Sequence, residues 1–247
     1  MKVIFAGPSL YGAEIDEPSL TFRPPAGQGD VLRATLQGAT AIGLIDGVFG
    51  SAASVWHKEI LHALSLGVRV LGAASMGALR AAECVRFGME PIGKIAADYA
   101  SGRLDDDAAV ALTFGPAELG FCPVSEPVVD IRDKLEQMTA AALISEQEAT
   151  AITAATNRLH YAERTLTFLM QEAFPGSPDR ADQIRRSYIS MGPGAKQRDA
   201  LALLTAIREE APAKPLPSWR LAEPPFWKRA VRQVESEVGE GVTVESR

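Results

Sequence analysis

The segment Val70-Leu71-Gly72-Ala73-Ala74-Ser75-Met76-Gly77-Ala78-Leu79-Arg80 carries the clearest chemistry in the chain. A short apolar run reads as a buried strand. Small residues then surround one serine, and a helix-forming run follows at once. Strand, tight turn and helix in that order set Ser75 at a corner. The nucleophile elbow of acyl-transfer hydrolases has this layout and a G-x-S-x-G signature. Here Ala73 replaces the first glycine and Gly77 is kept. Such a corner exposes a hydroxyl beside free backbone N–H groups, the equipment for attacking a carbonyl. Ser75 also reads as a helix N-cap, and one hydroxyl serves one role at a time.

Other polar residues converge on the same edge. In a parallel sheet the strand C-termini and helix N-termini share one side, where ligands bind. Ser9, Asp46 and Ser75 each follow a strand there. His57 and Lys58 fall in the first turn of the helix after Asp46, and Arg80 in the first turn of the next. Cations in a first turn oppose the helix macrodipole, so stability alone does not explain them. Lys58, Arg80 and two helix N-termini make an anion-attracting rim. Each residue has a structural reading beside this one. His57 is then a half-buried histidine beside Trp56, Asp46 a turn residue before Gly47, and Ser9 a turn residue after Pro8. Arg80 is then the partner of Glu83 one turn on. Asp30 closes the loop Pro24-Pro25-Ala26-Gly27-Gln28-Gly29-Asp30 and reads as capping or flanking a helix start.

The elements that hold these residues alternate. Strands are predicted at Val3 to Ala6, Leu20 to Arg23, Ala41 to Ile45 and Val68 to Leu71. Helices are predicted from Asp30 to Gln37, from Val55 to Leu66 with Ser54 as N-cap, from Met76 to Phe87, and from Ile92 to Ala100. The alternation predicts an α/β fold, a Rossmann/flavodoxin-like parallel sheet with flanking helices, followed by a C-terminal helical region. The division falls at 1–122 for the α/β core and 123–247 for the helical part. Pro123 to Pro127 reads as a linker, and Ile131 to Glu172 has helical spacing with a capping box at Ser145-Glu146-Gln147-Glu148. A looser stretch holds Gly192-Pro193-Gly194 and Pro212 to Pro217. The tail after Glu235 reads as frayed.

Composition removes several classes. The chain has 247 residues, 47% hydrophobic and 23% charged, with net charge −6. No basic face for nucleic acid is indicated. No apolar run reaches the roughly 18 residues that cross a bilayer, and the start reads as a first strand rather than a signal peptide. The two cysteines, Cys84 and Cys122, lack metal-type spacing and fit a reducing cytoplasm. Cys84 reads as a core residue and Cys122 as passive. His57 and His62 miss the i, i+4 spacing of a metal pair, so neither metal nor cofactor is expected. Asp105-Asp106-Asp107 reads as a solvated helix start. No G-x-x-x-x-G-K-[ST] loop is present, and Gly7-Pro8-Ser9-Leu10-Tyr11-Gly12 is too sparse in glycine for G-x-G-x-x-G.

Read in order, these pieces resemble the TfuA-like family. The matching runs are Gly7-Pro8-Ser9-Leu10, the Pro24 to Asp30 loop, Asp46-Gly47-Val48-Phe49, and Val55-Trp56-His57-Lys58-Glu59-Ile60-Leu61. Ala74-Ser75-Met76-Gly77-Ala78-Leu79-Arg80-Ala81-Ala82-Glu83 and Phe87-Gly88-Met89 continue them. Together they span residues 3 to 115, and the helical half matches only loosely. The resemblance implies a partner of a YcaO-type enzyme, which uses ATP to activate a backbone amide for thioamidation. It implies sulfur delivery through hydrolysis of a thiocarboxylated ThiS-like carrier protein. The local chemistry then suggests Ser75 as nucleophile, His57 as base, Asp46 as its orienting acid and the Met76 N–H in the oxyanion hole. Ser9, Asp30, Lys58, Met76 and Arg80 complete the binding set. The alternative is a non-catalytic adaptor or allosteric activator that docks YcaO and binds the carrier tail. A nucleotide- or phosphate-binding domain ranks below both.

Overall fold

The structure is a computed structural model that describes residues 1–50, 52–209 and 217–244. Five strands form one sheet: β1 (Lys2–Phe5), β2 (Leu20–Arg23), β3 (Ala41–Leu44), β4 (Arg69–Gly72) and β5 (Glu90–Pro91). All pair in parallel, in the order β2-β1-β3-β4-β5. That is the flavodoxin-like doubly wound order, with its switch point between β1 and β3. The register sets Ile4 beside Gly43 and Gly43 beside Leu71. β3 is buried along its whole length, which explains its unbroken run of apolar and small residues.

Each face of the sheet has its own core. Val3, Phe5, Ile42, Leu44 and Val70 pack against α1 (Asp30–Leu36), α2 (His57–Ser65) and α3 (Met76–Cys84). Ile4, Ala6, Ile45 and Leu71 pack against Ala200, Leu203, Leu204 and Ile207 of α9 (Ala195–Arg208). A helix from the C-terminal half therefore covers one face. α4 (Gly93–Ala100) lies between α3 and α9. Asp199 of α9 accepts from the N–H groups of Lys94 and Ile95 at its start.

A separate helical core joins α5 (Val128–Ala140), α6 (Glu146–Arg158), α7 (Leu166–Ala173) and α8 (Pro178–Ser190) around Ile131, Leu135, Met138, Ile152, Leu169 and Tyr188. The capping box opens α6: Ser145 N–H donates to Glu148 Oε2 at 2.8 Å, and Glu148 N–H to Ser145 Oγ at 3.2 Å.

Four local expectations change. α2 starts at His57, and Glu59 accepts the Trp56 N–H at 3.2 Å, while the Ser54 hydroxyl donates to the Val48 carbonyl instead. α3 stops at Cys84 and a 3₁₀ turn carries the chain to Phe87. The short β5 was not foreseen, because two residues give no periodicity. The C-terminal segment forms α10 (Pro225–Val244) where a frayed tail was expected, because it has an apolar face to bury. Trp227 and Val234 of α10 pack against Leu32 of α1. The proline stretch from Pro212 lies outside the described residues apart from Pro217.

Candidate active site

β4 ends at Gly72, Ala73 and Ala74 turn, and α3 begins at Met76. The elbow predicted from the sequence is therefore formed. The turn is tight: Ser75 N–H donates to the Ala73 carbonyl at 2.7 Å. Ala74 has φ +64°, in the left-handed region that costs a residue with a Cβ roughly 1–2 kcal/mol. The strain falls one residue before the serine. Gly77 lets α3 sit this close to the sheet, because a Cβ there would collide with the Leu44 carbonyl.

The serine is not a cap. Its hydroxyl makes no hydrogen bond to a backbone N–H of α3, nor to any other described residue. Ser75 is 9% exposed and lines a cleft at the sheet's C-terminal edge. The cleft encloses about 520 Å³, counting its open mouth. Asp46, Gly47, Met76 and Lys196 also line it, with Phe49, Leu79 and Phe114 among its apolar walls. The N–H groups of Gly47 and Met76 find no acceptor among the described residues.

Lys196 is the residue that sequence reasoning missed. It occupies the first turn of α9, is 2% exposed, and its Nζ donates to the Val110 carbonyl at 2.9 Å. Burial pushes its amine below the ordinary lysine range, and the charges of Asp46, Asp130 and Glu126 partly oppose that shift. It forms no ion pair within 4 Å among the described residues. One signal was available: a cation in a helix's first turn, the same anomaly that singled out Lys58.

Asp46 serves the other side of the switch point. It is 1% exposed, and its carboxylate accepts from Gly7 N–H at 2.9 Å, Ser9 N–H at 3.0 Å and Ser9 Oγ at 2.7 Å. Ser9 is thereby buried against Asp46, and Pro8 between them faces the cleft. None of these bonds reaches His57. The His57 side chain is 50% exposed, its Nε2 lies 2.7 Å from Glu83 Oε2, and it is absent from the cleft lining. The expected relay of Asp46, His57 and Ser75 is not assembled, because α2 carries its first residue outward to an acid on α3.

The expected cationic rim is also dispersed. Arg80 donates through Nε to the Val55 carbonyl at 3.0 Å and through Nη1 to Glu83 at 2.7 Å, so its structural reading holds. Glu83 is held below the usual carboxylate range: burial raises it, and the bonds from His57 and Arg80 more than offset that. Lys58 Nζ lies 5.9 Å from the Phe226 ring centroid, on the α10 side. Asp30 accepts from Gly27 N–H at 2.8 Å and pairs with Arg33, which closes its loop and starts α1. Burial pushes the Cys84 thiol up to about 11, so it is an inert core residue. Asp106 caps a 3₁₀ turn through Ala108 N–H at 2.9 Å, while its neighbour Asp107 reaches the cleft.

Fold and site together define a doubly wound α/β protein with an uncapped serine at a strained elbow and a buried lysine on the same cleft. Residues 46–165 match the family model described as TfuA-like protein, so that stretch of the chain is similar to the TfuA-like family. The match includes Asp46, Ser75 and Asp130, and ends before Lys196. No curated protein matches the chain. Among the described residues, no helix is long and apolar enough to cross a membrane.

Proposed function

We propose that this chain hydrolyses the C-terminal thiocarboxylate of a small ThiS-like carrier and delivers the sulfide to a YcaO-type partner for peptide thioamidation. The match of residues 46–165 to the TfuA-like family model supports the YcaO context at the level of the family. One observation carries the chemistry: the unbonded Ser75 hydroxyl shares a cleft with a buried lysine whose amine is held toward its neutral form.

In this reading Ser75 Oγ attacks the thiocarboxylate carbon and the neutral Lys196 amine takes its proton. The N–H groups of Gly47 and Met76 donate to the oxygen of the tetrahedral intermediate. The carbon–sulfur bond breaks and Lys196 returns the proton to the departing sulfur. Water, deprotonated by the same amine, then cleaves the seryl ester. The sum is thiocarboxylate plus water giving carboxylate plus hydrogen sulfide, with Ser75 and Lys196 regenerated. Lys196 replaces His57 as the base because it lines the cleft and His57 does not.

The test is sulfide release from a thiocarboxylated carrier by the full chain without YcaO. Ser75→Ala and Lys196→Met should each lose roughly a thousandfold or more, with circular dichroism unchanged. A Ser75→Ala chain that still releases sulfide near the parent rate removes the serine from the mechanism. A parent chain that releases no sulfide above the uncatalysed rate leaves the adaptor reading in its place.

A further inference from the structure

Lys196 sits at the edge of a cluster of titratable side chains where α5, α8 and α9 meet. Asp130 of α5 accepts the Lys196 backbone N–H through Oδ1 at 2.8 Å. The approach depends on Gly194, just before α9: a Cβ there would lie 2.6 Å from Asp130 Cγ and Oδ1. Glu126, just before α5, accepts the Tyr188 hydroxyl of α8 at 2.8 Å. Lys134 Nζ lies 4.4 Å from the Tyr188 ring centroid. Farther along the same contact, Asp133 pairs with Arg198 of α9 at 2.5 Å. From the cleft side the acid facing Lys196 is Asp46.

We propose that Asp130 is the positioning residue of this cleft: its carboxylate clamps the first turn of α9 and sets the field around the Lys196 amine. The proposal rests on the reading of Lys196 as the base. A carboxylate suits the helix N-terminus it caps, since the macrodipole favours negative charge there. It also faces a lysine that burial drives toward neutrality, and Asp130, with Asp46 and Glu126, opposes that drive. Burial in turn raises the Asp130 carboxyl to about 6, with Lys196 pulling it back down. The clamp is therefore charged above about pH 6 and loses its charge below it. The sign for Lys196 follows: removing the Asp130 charge removes a stabiliser of the ammonium, so the amine titrates at lower pH.

Asp130→Asn separates charge from shape, because the amide oxygen still accepts the Lys196 N–H. The measurement is the titration of Lys196 in the full chain, followed by NMR with ¹³Cε-labelled lysine and assigned with Lys196→Met. Asp130→Asn should move that titration down by about one unit, and the alkaline rise of sulfide release should move with it. Glu126→Gln should give a smaller shift in the same direction and serves if Asp130→Asn does not fold. Asp130→Ala should lower kcat with little change in KM, with Asp130→Asn recovering much of the loss. A Lys196 titration that coincides in the parent and the folded variants overturns the proposal. Sulfide release absent from the parent, with the Lys196 shift intact, overturns the hydrolase reading and leaves the Asp130 clamp standing.

Discussion

The Asp46 carboxylate accepts three hydrogen bonds from one turn, and two of them come from backbone N–H groups that meet at Oδ2. Those groups are buried, so their partner cannot be exchanged for water. Asp46→Ala removes the shared acceptor and leaves both N–H groups of the Gly7 to Ser9 turn without a partner. An unsatisfied buried donor costs about 1–3 kcal/mol, and loss of the charge adds to it. Asp46→Ala should therefore destabilise by about 3 kcal/mol, read as a lower urea midpoint at unchanged m-value. An unchanged midpoint would show that this turn does not depend on the carboxylate. The sequence placed Asp46 and Ser9 at the same sheet edge correctly, but it paired Asp46 with the wrong neighbour. Strand order shows which ends are adjacent. Only side-chain directions show which groups touch.

At the scale of elements, the elbow is held by backbone contact. α3 begins directly against β3, with Gly77 N–H donating to the Ile45 carbonyl at 3.1 Å. Gly77→Ala would push a methyl into the Leu44 carbonyl, and backbone cannot rotate away as a side chain can. It should cost about 3 kcal/mol or more and move Ser75 with the helix start. The check is a thermal melt beside sulfide release, both falling together. A stable Gly77→Ala chain with parent activity would refute this account of the elbow. The elements themselves were legible where periodicity and caps agreed. The strands around Ile4, Ile42 and Val70 show as short apolar runs, and the Ser145 capping box marks the start of α6 within one residue. Legibility failed at Ser54, a good cap type whose hydroxyl is drawn to the Val48 carbonyl. It failed again at α10, whose apolar face has meaning only once α1 is there to receive it.

At the scale of the molecule, α9 joins the two halves. Its apolar side fills the second face of the sheet, and its first turn brings Lys196 to the cleft that holds Ser75. Leu203 is fully buried there, in the space that Gly43 leaves open. Leu203→Ala should cost about 3 kcal/mol through lost burial and the cavity left behind. For a chain of this size that is a fall of roughly 6–12 °C in Tm. Because the same helix positions Lys196, sulfide release should fall as well. Retention of the parent rate in a clearly destabilised variant would separate the helix's packing from its part in the site.

The sequence by itself determined the α/β class, the parallel sheet and the serine corner, because these follow from local apolar periods, turn residues and caps. It also carried the family resemblance through an ordered run of short motifs. Tertiary structure alone decided that Ser75 is uncapped, that His57 turns to Glu83, and that Lys196 meets the serine's cleft. The reason is physical. A hydrogen bond or a shared cavity depends on distances of a few ångströms between segments far apart in the chain, and no local pattern fixes them until α9 packs onto the sheet.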